Sequence, residues 1–210
     1  SDGVNIWDYK TAMTPPKLPS SLIIVGSGAI GIEFASFYND LGVDVTIVES
    51  LPSILPNEDT DISQIVKLNF EKRGIKIKTS SALKSVTTKE NSVSAEIITN
   101  EKVETINSDK LILAIGIIAN TEKLGLKDFN VKIDKGHIVT NEFLETDENG
   151  VYAIGDITDG PWLAHKASHE GILCVEKIAG LQNLKPIDKT SIPGCTYCRP
   201  QVASIGMTET

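Results

Sequence analysis

Leu22-Ile23-Ile24-Val25-Gly26-Ser27-Gly28-Ala29-Ile30-Gly31-Ile32-Glu33 sets out a strand, a turn and a helix in that order. Its leading apolar residues fit a strand buried in a parallel sheet, and an apolar-periodic segment, Ile30 to Leu41, predicts the helix. Gly26 permits the tight turn, Gly28 lets a pyrophosphate approach the backbone without meeting a Cβ, and Gly31 lets the helix pack closely on the strand. The phosphate would rest on the helix N-terminus, where unpaired N–H groups and the helix dipole favour an anion by roughly 0.3–1 kcal/mol. Ser27, Ala29 and Ile30 therefore join the three glycines as candidate binding residues.

A second apolar run, Val43 to Val48, follows the helix and ends on Glu49, about 20 residues beyond the glycines. A carboxylate there can accept hydrogen bonds from both ribose hydroxyls of an adenosine. A 2′-phosphate about 4 Å away would meet repulsion of a few kcal/mol at an effective dielectric near 20. No Lys or Arg lies between Glu49 and Asp61 to offset it, so NAD is expected in preference to NADP. The plainer alternative is a glycine-rich turn beside a solvated glutamate, and the order strand, turn, helix, strand, acid weighs against it.

The composition narrows the function further. The net charge of −8 argues against a nucleic-acid or anionic-membrane partner, since both need a basic face. No stretch is apolar for long enough to span a bilayer as a helix. Cys174, Cys195 and Cys198 form no even disulfide framework and suit a reducing compartment. The start at Ser1 without Met, and the end at Thr210 just after an apolar run, lead us to expect a piece of a longer protein.

Residues 1–20 carry Pro15, Pro16 and Pro19 without a sustained period and predict an extended connector. After a loop from Leu51 to Asp59, Thr60 or Asp61 is the expected cap of a helix whose Ile62, Ile65, Val66 and Phe70 repeat until Gly74. Ile75 to Lys78 gives a third parallel strand. From Leu83 to Ile106, short alternating runs broken at Lys89-Glu90-Asn91 and Asn100-Glu101 predict a three-stranded antiparallel meander in place of a crossover helix. Leu111 to Ala114 returns to the sheet and ends in Gly116. The fold class is therefore α/β, a Rossmann-like parallel sheet with a β-meander crossover, followed by part of a second domain. That part holds a weak strand at His137 to Val139, a turn at Asn149-Gly150, a strand Val151 to Ile154 leading into Gly155-Asp156, and a helix from His165 to Ala179 stopped by Gly180. Ser191 to Thr210 opens a further β-containing unit.

Two stretches carry a resemblance to a family. Thr146-Asp147-Glu148-Asn149-Gly150-Val151-Tyr152-Ala153-Ile154-Gly155-Asp156 and Leu163-Ala164-His165-Lys166-Ala167-Ser168-His169-Glu170-Gly171 resemble the flavin-binding segments of pyridine nucleotide-disulfide oxidoreductases. The Leu-Ala-His-Lys-Ala form is similar to the branch that acts on dihydrolipoyl groups rather than to the glutathione or mercuric branches. Arg199-Pro200-Gln201-Val202-Ala203-Ser204-Ile205-Gly206-Met207-Thr208-Glu209 looks like the start of the family's dimer-interface domain.

The resemblance implies an NAD domain over residues 1–118, the C-terminal segment of an FAD domain over 119–188, and the start of the interface domain over 189–210. It implies that Asp156 bonds the flavin ribityl chain with Gly155 allowing the approach, and that backbone at Leu163, Ala164 and His165 meets the flavin pyrimidine edge at a helix start. Glu33 matches the glutamate that lies near the nicotinamide, and Gly116 marks the domain junction. The implied activity is oxidation of dihydrolipoyl groups on 2-oxoacid dehydrogenase complexes, with electrons passing by a protein disulfide and FAD to NAD⁺. The implied partners are the lipoyl-bearing subunits and, at full length, a second copy in a homodimer. FAD would need the full-length chain, so these residues alone are expected to bind NAD and to catalyse nothing. Another NADH-dependent disulfide reductase or oxidase of the same family, or a non-catalytic dinucleotide-binding module, are the rival readings.

Some positions depart from the family's pattern. Gly116-Ile117-Ile118-Ala119-Asn120 stands where a Gly-Arg-x-Pro-Asn run is usual, so any contact made by that arginine is missing. His169 replaces a common acid, and Cys198 a polar residue. His165 and His169 share a helix face, but no third ligand lies at a recognisable spacing, so no metal site is assigned. Cys195-Thr196-Tyr197-Cys198 has the spacing of a redox dithiol but follows Pro193-Gly194 in a β-like segment without the helix N-terminus that lowers a thiol's pKa. The family disulfide has a wider spacing and lies in the N-terminal FAD segment, so no catalytic residue is expected here.

Overall fold

The computed structural model describes residues 1–209, so Thr210, the last residue of the expected interface segment, lies outside the described residues. The chain divides into two compact units, residues 1–116 with the segment from Cys195 onward, and residues 117–194.

In the first unit β1 (Ile6–Trp7) and α1 (Tyr9–Met13) precede β2 (Ser21–Val25), α2 (Ala29–Asp40), β3 (Asp44–Val48), α3 (Thr60–Lys72) and β4 (Lys76–Lys78). The meander β5 (Ser81–Lys89), β6 (Ser92–Thr99) and β7 (Lys102–Ser108) then leads to β8 (Lys110–Leu113). The sheet has five strands in the order β1-β8-β2-β3-β4, every pairing parallel. The meander is a separate antiparallel sheet in the order β5-β6-β7.

Strand pleating explains why the central strands read as unbroken apolar runs. On β2, Leu22 and Ile24 join the core with Ile32, Ala35 and Tyr38 of α2, while Ile23 and Val25 join the core with Val93, Ala95 and Ile97 of the meander. Each of the buried Leu, Ile and Val side chains contributes about 1.5–3 kcal/mol. The meander thus covers the sheet face that a crossover helix would otherwise cover.

Two local expectations in this unit are corrected. Residues 1–20 are more than a connector: β1 adds an edge strand beside β8, Asp8 caps α1, and Trp7 and Ala12 are buried in the α2 core. The Tyr38 hydroxyl donates to the Ala12 carbonyl at 2.6 Å. A two-residue strand and a five-residue helix are too short to show a period, and tertiary packing holds them. The cap of α3 is Asp59, which keeps non-helical dihedrals and accepts from the Asp61 amide, whereas Thr60 is already the first helical residue.

The second unit holds the hairpin β9 (Ile133–Asp134) and β10 (His137–Ile138), a 3-10 turn at Gly155–Ile157, and α4 (Ala164–Ile178). Its small core gathers Leu144, Leu173 and Cys174 with Phe143, Tyr152, Leu184 and Ile187 around them. The strand expected from Val151 to Ile154 is reduced to one bridge between Tyr152 and Glu145, with Ala153 N–H donating to Leu144. Among the described residues no longer strand runs beside it to extend a ladder.

At the far end of the chain β11 (Gly194–Thr196) and β12 (Val202–Ser204) form a two-stranded sheet. Cys198 and Val202 are buried in the core that α2 and α3 share with the parallel sheet. Arg73 holds this segment by donating to the Arg199 carbonyl at 2.8 Å while pairing with Asp40 at 2.9 Å.

Candidate functional site

The glycine turn leaves β2 with Gly26 at φ +99°, a conformation that side chains disfavour, and a Cβ there would overlap the Ala114 carbonyl. Gly31 is equally constrained by packing, because a Cβ on it would overlap the Gly26 carbonyl oxygen. A Cβ on Gly28 would meet nothing within 4 Å. Gly28 is the N-cap of α2 and offers no side-chain bond, so the first amides of the helix face open space beside exposed Ala29 and Ile30. This space has the form a phosphate needs.

Glu49 follows β3 and is 7% exposed. One carboxylate oxygen accepts from the Ser27 amide at 2.8 Å and the Ser27 hydroxyl at 2.7 Å. The other accepts from the Leu51 amide at 2.8 Å and the Ser50 hydroxyl at 3.1 Å. Burial pushes its pKa up, but these hydrogen bonds outweigh burial and hold the carboxyl below its usual range. Glu49 is therefore an anion at neutral pH, tied to the turn it was expected to serve from a distance. Sequence reasoning missed this tie. The signal that could have found it is the hydroxyl of Ser27 between two glycines, a donor as well as a backbone position.

Glu33 sits half-buried on α2 and accepts from the Tyr197 amide at 2.8 Å. Its charge also acts on Cys198, whose thiol is pushed up to about 11, first by burial and then by Glu33. The Cys198 thiol donates to the Pro200 carbonyl at 3.0 Å, and all three cysteines are free. Gly116 is exposed at φ +148° beyond β8.

In the second unit, Gly155 at φ +75° opens the 3-10 turn, and a Cβ on it would press the Ala167 Cβ at 3.4 Å. Asp156 follows with an exposed carboxylate that no other described residue engages. Leu163, the N-cap of α4, is extended and supplies no side-chain bond, which leaves the amides of Ala164 and His165 uncapped. His165 Nε2 meets the Pro193 carbonyl at 2.8 Å. Among the described residues, no group of three or more His, Cys, Asp or Glu is arranged to hold a metal.

Lys166 and Glu170 carry no motif role in the sequence. They form a buried ion pair at 3.0 Å beneath the Gly155 turn, and the only signal was opposite charge at helical spacing among small residues.

A parallel sheet with a glycine turn at a helix N-terminus and an acid after the next strand is the Rossmann-type class of dinucleotide-binding folds. Comparison with known proteins refines that class. The chain belongs to the pyridine nucleotide-disulphide oxidoreductase family, which matches residues 1–171. It is 53% identical over 209 residues to a dihydrolipoyl dehydrogenase of Rhizobium etli, covering 99% of this chain and 44% of the relative. It is 50% identical over 210 residues to a dihydrolipoyl dehydrogenase of Zymomonas mobilis, covering 100% of this chain and 45% of the relative. The chain thus spans a little under half the length of these curated relatives. Among solved structures, LpdA of Mycobacterium tuberculosis aligns with a TM-score of 0.90 at 29% identity, over 100% of this chain and 45% of that one. The HOCl-induced flavoprotein disulfide reductase RclA of Escherichia coli aligns with a TM-score of 0.88 at 25% identity, over 98% of this chain and 46% of that one.

Proposed function

We propose that this chain supplies the NAD site and part of the FAD site of a dihydrolipoyl dehydrogenase, the activity named for the relatives of 53% and 50% identity. One observation carries the NAD reading: open space over Gly28 at the uncapped start of α2, with ionised Glu49 bonded to Ser27 beside it. The residues fit the group, since a Cβ at Gly28 would project where a pyrophosphate needs room and would touch no protein atom.

When bound, the nicotinamide and flavin rings supply the hydride chemistry. The amides that follow Gly28 would bind the pyrophosphate, and Glu49 would take a ribose hydroxyl while repelling a 2′-phosphate. Glu33 would orient the nicotinamide end from α2. In the second unit Asp156 would bind the ribityl chain, and the uncapped amides at Leu163, Ala164 and His165 would face the flavin's pyrimidine edge.

The cysteines of this chain include no pair at the wider spacing of the family disulfide, and the Cys198 thiol is buried and proton-bound at neutral pH. We therefore propose that these residues by themselves bind NAD without turning over. The partners in this reading are lipoyl-bearing subunits of 2-oxoacid dehydrogenase complexes and a second copy of the full-length protein. The setting is bacterial cytoplasm or mitochondrial matrix.

Calorimetric titration with NADH and with NADPH tests the reading. NADH binding with NADPH at least tenfold weaker is expected, and equal binding would remove Glu49 as the selector. The likeness to RclA favours a second reading, an NADH-dependent disulfide reductase with another substrate. Turnover of dihydrolipoamide by the full-length protein separates the two.

A further inference from the structure

The ion pair between Lys166 and Glu170 is buried to 1% and 5% side-chain exposure, one turn apart on α4. Such a pair is a poor source of stability, because desolvating two charges offsets most of their attraction and an apolar pair of like volume often serves as well. Its contacts show what it does accomplish. Lys166 Nζ lies 3.0 Å from Glu170, 3.3 Å from the Gly155 carbonyl, 3.2 Å from the Thr158 hydroxyl and 3.0 Å from the Asp159 carbonyl. The second Glu170 oxygen accepts from the Gly155 amide at 2.7 Å. Every one of these contacts outside the pair falls on Gly155 to Asp159, and Asp156 in that span is the residue whose side chain is left exposed and unengaged.

We infer that Lys166 and Glu170 are positioning residues that act through Asp156, holding its turn so that the carboxylate is presented to a polyhydroxyl chain such as the flavin ribityl. The inference rests on the proposed role of Asp156. The turn needs such a clamp because it begins with Gly155 at a left-handed φ and continues as a single 3-10 turn without a helix to extend it. An apolar pair at Lys166 and Glu170 would fill the space but leave the Gly155 amide and the Asp159 carbonyl without these partners.

The test is a double-mutant cycle in the FAD-loaded holoenzyme, using Lys166→Met with Glu170→Met as a charge-neutral pair of similar bulk, Asp156→Asn, and the two combined. The paired change is expected to keep cooperative unfolding, to speed exchange of the Gly155 amide hydrogen at least tenfold, and to weaken FAD retention at least tenfold. Asp156→Asn is expected to weaken FAD by a similar factor, and the combination to weaken it no further than either alone. Losses that multiply in the combination would overturn the inference, as would an unchanged FAD affinity in the paired variant while Asp156→Asn loses it. Unchanged FAD affinity in Asp156→Asn alone would overturn the role of Asp156 itself, and the inference with it. If the paired variant fails to fold, Glu170→Gln, which keeps an acceptor for Gly155 and loses the charge, is expected to retain most of the FAD affinity. A tenfold loss there without faster Gly155 exchange would overturn the clamp.

Discussion

Ser27 donates twice to one oxygen of Glu49, from its amide at 2.8 Å and from its hydroxyl at 2.7 Å. The far acid of the dinucleotide motif is thereby a structural part of the glycine turn. Ribose hydroxyls would share Glu49 with protein donors, and Ser27→Ala, which removes one of them, should change NADH affinity while leaving the preference over NADPH in place. Titration calorimetry on this variant and on Glu49→Gln checks the division of labour, since only Glu49→Gln should erase the preference.

The same carboxylate makes stability depend on pH. Its folded pKa lies below the 4.5 of an unperturbed glutamate, so its stabilisation is complete above about 4.5 and is lost as pH falls through the lower folded value. Glu49→Gln should therefore lower the urea midpoint clearly at pH 7 and much less at pH 3.

Gly28 and Gly31 should fail in opposite ways when changed to alanine. Gly31→Ala drives a Cβ into the Gly26 carbonyl and should cost about 1–3 kcal/mol or more, as overpacking does. Gly28→Ala meets no protein atom and should leave the melting temperature nearly unchanged while weakening NADH at least tenfold. Melting curves with and without NADH separate the two effects.

Trp7 is 1% exposed, and its ring centroid is 6.4 Å from that of Tyr38. Trp7→Ala should cost about 3–5 kcal/mol in urea unfolding, the loss expected of a fully buried aromatic.

Thiol reactivity should rank by environment. Cys195 is half-buried, whereas Cys174 and Cys198 are buried with pKa values raised by burial. At pH 8 a disulfide reagent should label Cys195 first, and the other two should react only as the protein unfolds.

The parallel sheet, the meander, α2 and α3 were legible because period and turn chemistry agree over long runs, as in Ile62 to Phe70 and in the alternation from Leu83 to Ile106. What escaped reading was tertiary. Nothing local in Ile6-Trp7 announces an edge strand, and nothing near Glu49 in sequence announces Ser27, 22 positions earlier. The strand expected at Val151 to Ile154 has the apolar run a strand needs, but pairing depends on neighbours that a one-dimensional pattern does not contain. The candidate site was legible only as motif glycines and acids at set spacings. Lys166 and Glu170 did not stand out, since opposite charges one helical turn apart usually mark a solvated face.

Cys198 and Val202 complete the core that Trp7, Leu22 and Tyr38 begin, and residues 117–194 are translated between them. On a ribosome that extends the chain vectorially, the first unit emerges with two core positions empty and must wait for a whole second unit to be made before they are filled. Its final packing step is therefore timed by the synthesis of Val202, and a stall between Gly116 and Cys195 would leave apolar surface on α2 open to chaperones and proteases.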